Sequence, residues 1–202
     1  MNGENAASPT TPSQTIGPFY GYALPFAGGA HIVAAGDPST VSVHGYVRDG
    51  AGQPIPDALL EFWQAAPDGS TTGAPGSLRR DQVTGAALGR DHLTFTGFAR
   101  VPTDADGHYA IRTVTPGPIG ASAPYLAVCL FARGLTHHLY TRVYFADQAG
   151  ANDADPLLAA LPPDRRATLV TELERPNVHR FDLRLQQGGD GGAETVFLRF
   201  TG

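Results

Sequence analysis

Apolar and polar residues alternate along several short stretches of this chain, and each such stretch predicts a strand with one buried face. In 41–49, Val41, Val43, Gly45 and Val47 share one side. Residues 58–65 (ALLEFWQA) form the next candidate, followed by 94–101, 108–114, 125–132 and 139–145. Near the C-terminus, 181–185 and 195–200 alternate again. Only 157–173 reads as helical; Pro162 and Pro163 split it, and Asp164 suits the first turn of its second part. Asp104-Ala-Asp-Gly107 predicts a hairpin turn, because the later ligands of a calcium loop are missing. Residues 67–90 form a long glycine-rich excursion, and such loops in compact domains often carry function. No internal repeat occurs. Together these elements predict a mainly β sandwich or barrel-like domain with long loops.

Composition agrees with that picture. A length of 202 residues suits one domain, and 42% hydrophobic residues allow a real core. The 25 glycines and 17 prolines favour short strands and turns over long helices. The net charge of −5, with no basic run, argues against nucleic acid and anionic membranes as partners. Residues 1–12 are small and polar and are expected to be flexible, so the folded domain is placed at 13–202. Residues 13–26 mix aromatics with glycine and proline. This apolar arm is expected to dock, either on its own domain or across an interface through Ile16, Phe19, Tyr20 and Phe26.

Cys129 is the single cysteine. It cannot form a disulfide within one chain and reads as a small buried hydrophobe in a reduced compartment. No basic segment followed by an apolar stretch opens the chain, and no apolar run approaches the ~20 residues of a membrane span. A cytoplasmic location is therefore expected.

Several catalytic templates are missing: the Gly-x-Ser-x-Gly elbow, the P-loop, the dinucleotide fingerprint and the CxxC pair of a thiolate zinc site. No His-x-His occurs, the strand pattern that lets two imidazoles chelate one metal. His137 and His138 are adjacent, while His31, His44, His92, His108 and His179 are scattered. The seven tyrosines mostly lie in strand patterns and read as packing residues, apart from Tyr20 and Tyr22 in the arm. The residue pattern alone leaves the site open.

Specific motifs go further. Thr11-Pro-Ser-Gln-Thr-Ile-Gly-Pro-Phe19 is followed by His44-Gly-Tyr-Val-Arg-Asp-Gly50, Pro54-Ile-Pro-Asp-Ala58 and Glu61-Phe-Trp-Gln-Ala65. Thr103-Asp-Ala-Asp-Gly-His-Tyr109, Arg112-Thr-Val-Thr-Pro-Gly117 and Tyr144-Phe145 continue the series. Phe131-Ala-Arg-Gly134, Arg180-Phe-Asp-Leu183 and Glu194-Thr-Val-Phe-Leu-Arg-Phe200 complete it. In this order they resemble the intradiol ring-cleavage dioxygenases, from about Thr11 to the end. The last three motifs are similar to the family's alpha chains, which hold no iron and pair with iron-bearing beta chains. The resemblance implies a mainly β, single-domain β-sandwich of the intradiol dioxygenase type, with long loops, an N-terminal arm and a short helical segment near 157–173.

It also implies an activity: cleavage of 3,4-dihydroxybenzoate (protocatechuate) by O2 between its hydroxyl carbons, giving 3-carboxy-cis,cis-muconate at a ferric ion. In the family's catalytic chains, two tyrosines and a His-x-His pair hold that iron. Here Ile119 occupies one tyrosine position, Tyr125 and Ala127 stand near the histidine pair, and 67–90 contains no tyrosine. The resemblance thus assigns this chain no catalytic residue and no metal ligand. It implies Fe(3+) bound by a partner beta subunit in a hetero-oligomer. By the same resemblance, Thr15, Gly17 and Pro18 of the arm and Arg133 line part of the substrate pocket, the glycine allowing close backbone approach and the arginine favouring an anionic substrate. Two other readings compete: a homomeric intradiol enzyme with an atypical iron site, and a non-catalytic transthyretin-like binding module, for which 43–65 alone would serve equally well.

Overall fold

A computed structural model describes residues 11–34, 36–72, 78–90, 95–189 and 191–200, so the expected flexible segment 1–12 lies almost wholly outside the described residues. A short helix α1 (Tyr20–Ala23) precedes β1 (Val41–Arg48), β2 (Leu59–Trp63), β3 (Leu78–Arg80) and β4 (Ala87–Arg90). Strands β5 (Phe98–Pro102), β6 (His108–Thr113), β7 (Tyr125–Phe131) and β8 (Leu139–Tyr144) follow. A helical turn at Ala146–Gln148 leads into α2 (Ala149–Ala154), α3 (Pro156–Ala159) and α4 (Pro163–Ala167). Then come β9 (Glu172–Arg175), β10 (Val178–Arg180) and β11 (Leu183–Arg184).

The strands build two stacked sheets. One has the order β5-β2-β7-β8, antiparallel throughout. In the other, β1 is central: β6 pairs antiparallel with it, β10 and then β11 run parallel to it, and β9 lies outside β10. Strands β3 and β4 form a separate ribbon inside the glycine-rich excursion. Alternation along β1 buries Val41, Val43, Gly45 and Val47, as the sequence predicts. Leu60, Phe62, Leu126 and Val128 of one sheet pack with Val43, Val47, Tyr109 and Ile111 of the other in a single core. Each such side chain contributes about 1.5–3 kcal/mol by area transfer. The result is an open sandwich rather than a barrel.

Several elements differ from the sequence reading. The Asp104 turn is no hairpin: it joins β5 in one sheet to β6 in the other. Asp104 Oδ1 accepts the backbone N–H groups of Asp106 and His108, which tightens the crossing. The stretch 157–173 is split at Pro162 and Pro163 as the sequence predicts, but its bounds differ: α3 already opens at Pro156, α4 ends at Ala167, and residues from Glu172 onward join β9. Helix α2 has no apolar period and left no trace in the pattern. The 94–101 candidate begins only at Phe98, and position 94 lies outside the described residues. Strand β11 is shorter than 181–185. Residues 195–200 do not form a strand. Thr195 N–H bonds to Arg184 O while Leu198 N–H bonds to Tyr140 O, so the tail ties two sheets together instead of extending one.

A second apolar cluster, built on Tyr144, Leu158, Leu169 and Val196, seats the helical segment. Asp155 caps α3 from a fully buried position, accepting the N–H groups of Leu157 and Leu158, and of Ala123 across the fold. No described helix is long and apolar enough to cross a membrane.

His179, 1% exposed, has Nδ1 within 3.0 Å of the Thr171 hydroxyl. Burial lowers its pKa below the ordinary 6.5, against the opposing charge of Asp147. The unfolded chain therefore binds this proton before the native chain does. The stabilisation is fully present above about pH 6.5 and is lost as pH falls. His179→Gln should flatten the fall in Tm between about pH 7 and 5. An acid limb as steep as that of the parent chain would remove His179 as its source.

Candidate functional site

The arm and the turn after β7 meet at one end of the sandwich. The N–H of Gly134 donates to the Thr15 hydroxyl at 2.7 Å, across 119 residues of sequence. Gly134 has φ +90°, which turns the chain sharply just after Arg133. Arg133 projects with 59% of its side chain exposed and forms an ion pair through Nε with Asp57. The Tyr20 hydroxyl donates to the backbone carbonyl of Asp57, so arm, turn and the 54–57 loop are tied together. Burial, and secondarily the charge of Asp57, push the Tyr20 hydroxyl up to about 12, so it remains a donor.

Beside this junction lies a cleft of about 910 Å³ whose walls include Arg133, His137, His138, Tyr140, Arg199 and Phe200. Thr15 and Arg133 thus flank a common turn. Gly17 and Pro18 continue along the exposed arm. A Cβ built on Gly17 would meet nothing within 4 Å, so the chain's own packing does not require glycine there. Phe19 (77%) and Tyr22 (87%) are also exposed, while Ile16 is half-buried against the turn beside Phe131 and Leu135. Asp57 was not picked out from the sequence: it stands 76 residues from Arg133, and no local pattern joins them.

The outer face of the β5-β2-β7-β8 sheet carries the positions where the resemblance would put iron ligands. Tyr125 and Ala127 point outward from β7, opposite Tyr144 and Arg142 of β8. Ile119 lies in the preceding loop, bridged to Ser122. Arg142 fills the space between them: its guanidinium carbon sits 4.0 Å from the Tyr125 ring centre, and Nη1 donates to the Tyr144 hydroxyl (3.2 Å) and Ser122 Oγ (3.4 Å). Burial alone would lower its pKa. The Tyr144 hydrogen bond and the neighbouring Tyr144, Tyr125 and Asp155 raise it overall, so it stays a cation. A methyl group and an isoleucine offer no lone pairs, and a fixed guanidinium repels a second cation. These residues do not fit a ferric ion. Among the described residues, no group of three or more His, Cys, Asp or Glu side chains is arranged to hold a metal.

The remaining candidates separate. Cys129 is buried on this sheet, and burial, with Glu61 adding to it, pushes its thiol up to about 12, as suits an inert hydrophobe. His137 and His138 lie in the exposed turn before β8, with His138 Nε2 2.8 Å from the Tyr140 hydroxyl. His44 and His108, read as unrelated singles, meet across β1 and β6 with Nδ1 and Nε2 3.3 Å apart, and His44 also pairs with Glu174. Tyr109 and Tyr144 are buried packing residues.

Comparison with known proteins follows this geometry. A family model described as Dioxygenase matches residues 16–187. The chain is 42% identical to the protocatechuate 3,4-dioxygenase alpha chain of Burkholderia cepacia, over 93% of this chain and 96% of that one. It is 35% identical to the alpha chain of the same name from Pseudomonas putida, over 95% and 97% of the two chains. Among solved structures it is similar to the dioxygenase domain of a dioxygenase and carbohydrate-binding fusion from Streptomyces sp. SirexAA-E, with TM-score 0.53 and 25% identity over 78% of this chain and 87% of that one. The intradiol ring-cleavage dioxygenase of Tetranychus urticae shares the fold, with TM-score 0.57 and 14% identity over 79% and 88%. The chain belongs to the intradiol ring-cleaving dioxygenases, a family that implies non-haem iron, on the branch of the protocatechuate 3,4-dioxygenase alpha chains.

Proposed function

We propose that this chain is the alpha subunit of a cytoplasmic protocatechuate 3,4-dioxygenase, with residues 13–202 as its single domain. It completes an active site whose Fe(3+) is held by the partner beta subunit. The assembled enzyme cleaves 3,4-dihydroxybenzoate with O2 to 3-carboxy-cis,cis-muconate. One observation carries this reading: an intradiol scaffold combined with a ligand-poor face, where Ile119 and Ala127 offer no donor and Arg142 lies over Tyr125. Near full-length similarity to two alpha chains supports it.

In this reading the junction of Thr15, Gly17, Pro18 and Arg133 faces the partner. The bond from Gly134 N–H to the Thr15 hydroxyl holds the arm against the turn, so Arg133 is presented from a fixed base. Asp57 engages Nε and leaves the outer guanidinium edge for a substrate carboxylate. Gly17 gives the partner's backbone or the ring a surface without a side chain, which explains a glycine the chain itself does not need. The test is reconstitution. Mixing this chain with a protocatechuate 3,4-dioxygenase beta chain should yield protocatechuate-dependent O2 uptake that neither chain shows alone. Equal uptake from the beta chain alone, or uptake from this chain without any partner, contradicts the proposal.

A further inference from the structure

The outer face of the β1 sheet carries a pair of histidines that the proposed function does not use. Alternation turns His44 outward from β1 and His108 outward from β6. His44 stands opposite Ala110, and His108 stands opposite Tyr46, so the two histidines are diagonal neighbours. The small Ala110 puts no bulk between them. Their side chains are 23% and 33% exposed, so solvent reaches both. The Tyr46 ring, 5.1 Å from that of His108, braces one side of the pair.

The neighbours of the two rings decide where their protons sit. Glu174 Oε2 lies 2.9 Å from His44 Nε2, and an ionised carboxylate only accepts, so that nitrogen carries a proton. Neutral His44 then presents a lone pair at Nδ1. On the far side of His108, Nδ1 faces Asp104 Oδ2 at 3.9 Å, which favours a proton there and a lone pair at Nε2. These two lone-pair nitrogens, His44 Nδ1 and His108 Nε2, stand 3.3 Å apart. A neutral hydrogen bond between them would turn a His108 lone pair toward the Asp104 carboxylate. A cation between the rings removes the conflict. Arg180, beside His44 in β10, is already paired with Asp182, so the carboxylates of Glu174 and Asp104 give the pair a net negative surrounding.

We propose that His44 Nδ1 and His108 Nε2 bind one divalent transition-metal ion of the zinc type. Two imidazoles on a tetrahedral ion, each at ~2.0–2.1 Å, stand about 3.3 Å apart, which matches the separation in this structure. Glu174 and Asp104 serve as the outer carboxylates that orient such ligands, Glu174 by direct hydrogen bond. With two protein ligands the site is open and exchangeable, of micromolar rather than structural-zinc affinity. The ion clips β1 to β6, the two strands that the Asp104 turn and the sheet already bring together. This site is separate from the ferric iron of the proposed assembly and does not depend on it.

Titration of the full, tag-free chain with Zn(II), followed by calorimetry, should show one saturable site, and Zn(II) should raise Tm. Mg(II), which prefers oxygen ligands, should do neither at the same concentration. His44→Gln and His108→Gln should each weaken Zn(II) at least about tenfold, and Glu174→Gln, which keeps both ligands, by about tenfold through lost orientation. His137→Gln, in the exposed turn before β8, should change nothing. The two ligand variants are independent, so either one serves if the other is unstable. Absence of saturable Zn(II) binding overturns the proposal. So does Zn(II) affinity that His44→Gln or His108→Gln leaves intact, and so does equal binding of Mg(II).

Discussion

Alanine at position 45 is expected to destabilise the fold by about 3 kcal/mol or more, because its methyl group would overlap backbone that cannot retreat. Gly45 points inward from β1 where β10 gives way to β11, and a Cβ there would lie 2.5 Å from the carbonyl carbon of Phe181. The Phe181 backbone is held at both of its polar groups. Its N–H donates to His44 O at 2.7 Å, and its carbonyl accepts the Tyr109 hydroxyl at 2.7 Å. Tyr109 is 2% exposed, and burial, followed by the charge of Asp182, raises its pKa well above the usual value, so it stays a donor. Moving Phe181 away would strand a buried hydroxyl as well as open the core. Denaturant unfolding of Gly45→Ala, beside Gly17→Ala, measures the difference. The second change has open space and should shift stability by less than about 0.5 kcal/mol. Equal midpoints for the two variants would refute this packing argument.

Removal of the Arg133 side chain should hardly affect the isolated chain but should cost the assembled enzyme about 10- to 100-fold in kcat/KM for protocatechuate. The pair with Asp57 is more than half exposed on the arginine side, and surface pairs of this kind contribute about 0–1 kcal/mol. The same guanidinium facing a substrate carboxylate in a confined pocket contributes more, since water no longer competes. Catechol lacks the carboxylate, so Arg133→Ala should spare catechol turnover by comparison. Kinetics on both substrates, with assembly checked by gel filtration and iron content, separate the outcomes. Equal losses in a fully assembled enzyme would remove Arg133 from carboxylate recognition. Failure to assemble would make it an interface residue instead.

Strand positions were legible wherever one face is buried, because period-two alternation survives in the sequence; β1, β6, β7 and β8 are close to the stretches read from it. Which strands pair was not. The turn at Asp104 has the same residues whether it closes a hairpin or crosses between sheets, and only the long-range pairing of β1 with β6 settles that. The tail 195–200 alternates because its side chains divide between two clusters, Phe197 against the main core and Val196 and Leu198 against the second, and its backbone bonds to two separate elements. At the candidate site, motifs pointed to Thr15 and Arg133, and the structure brings the arm carrying the first against the turn carrying the second. Asp57 and Arg142 went unseen because their meaning lies in partners brought near by folding: Arg133 for one, Tyr125 and Tyr144 for the other. His44 and His108 were separated by 64 residues and looked unrelated for the same reason.

In the proposed assembly this chain carries the intradiol scaffold while its partner carries the metal. Iron content and visible absorption of the purified chain, alone and co-purified with a protocatechuate 3,4-dioxygenase beta chain, distinguish the two chains. The expected result is a colourless, iron-free chain alone and a complex with one ferric ion per alpha/beta pair and a tyrosinate charge-transfer band. Stoichiometric ferric iron with that band in the lone chain would contradict it.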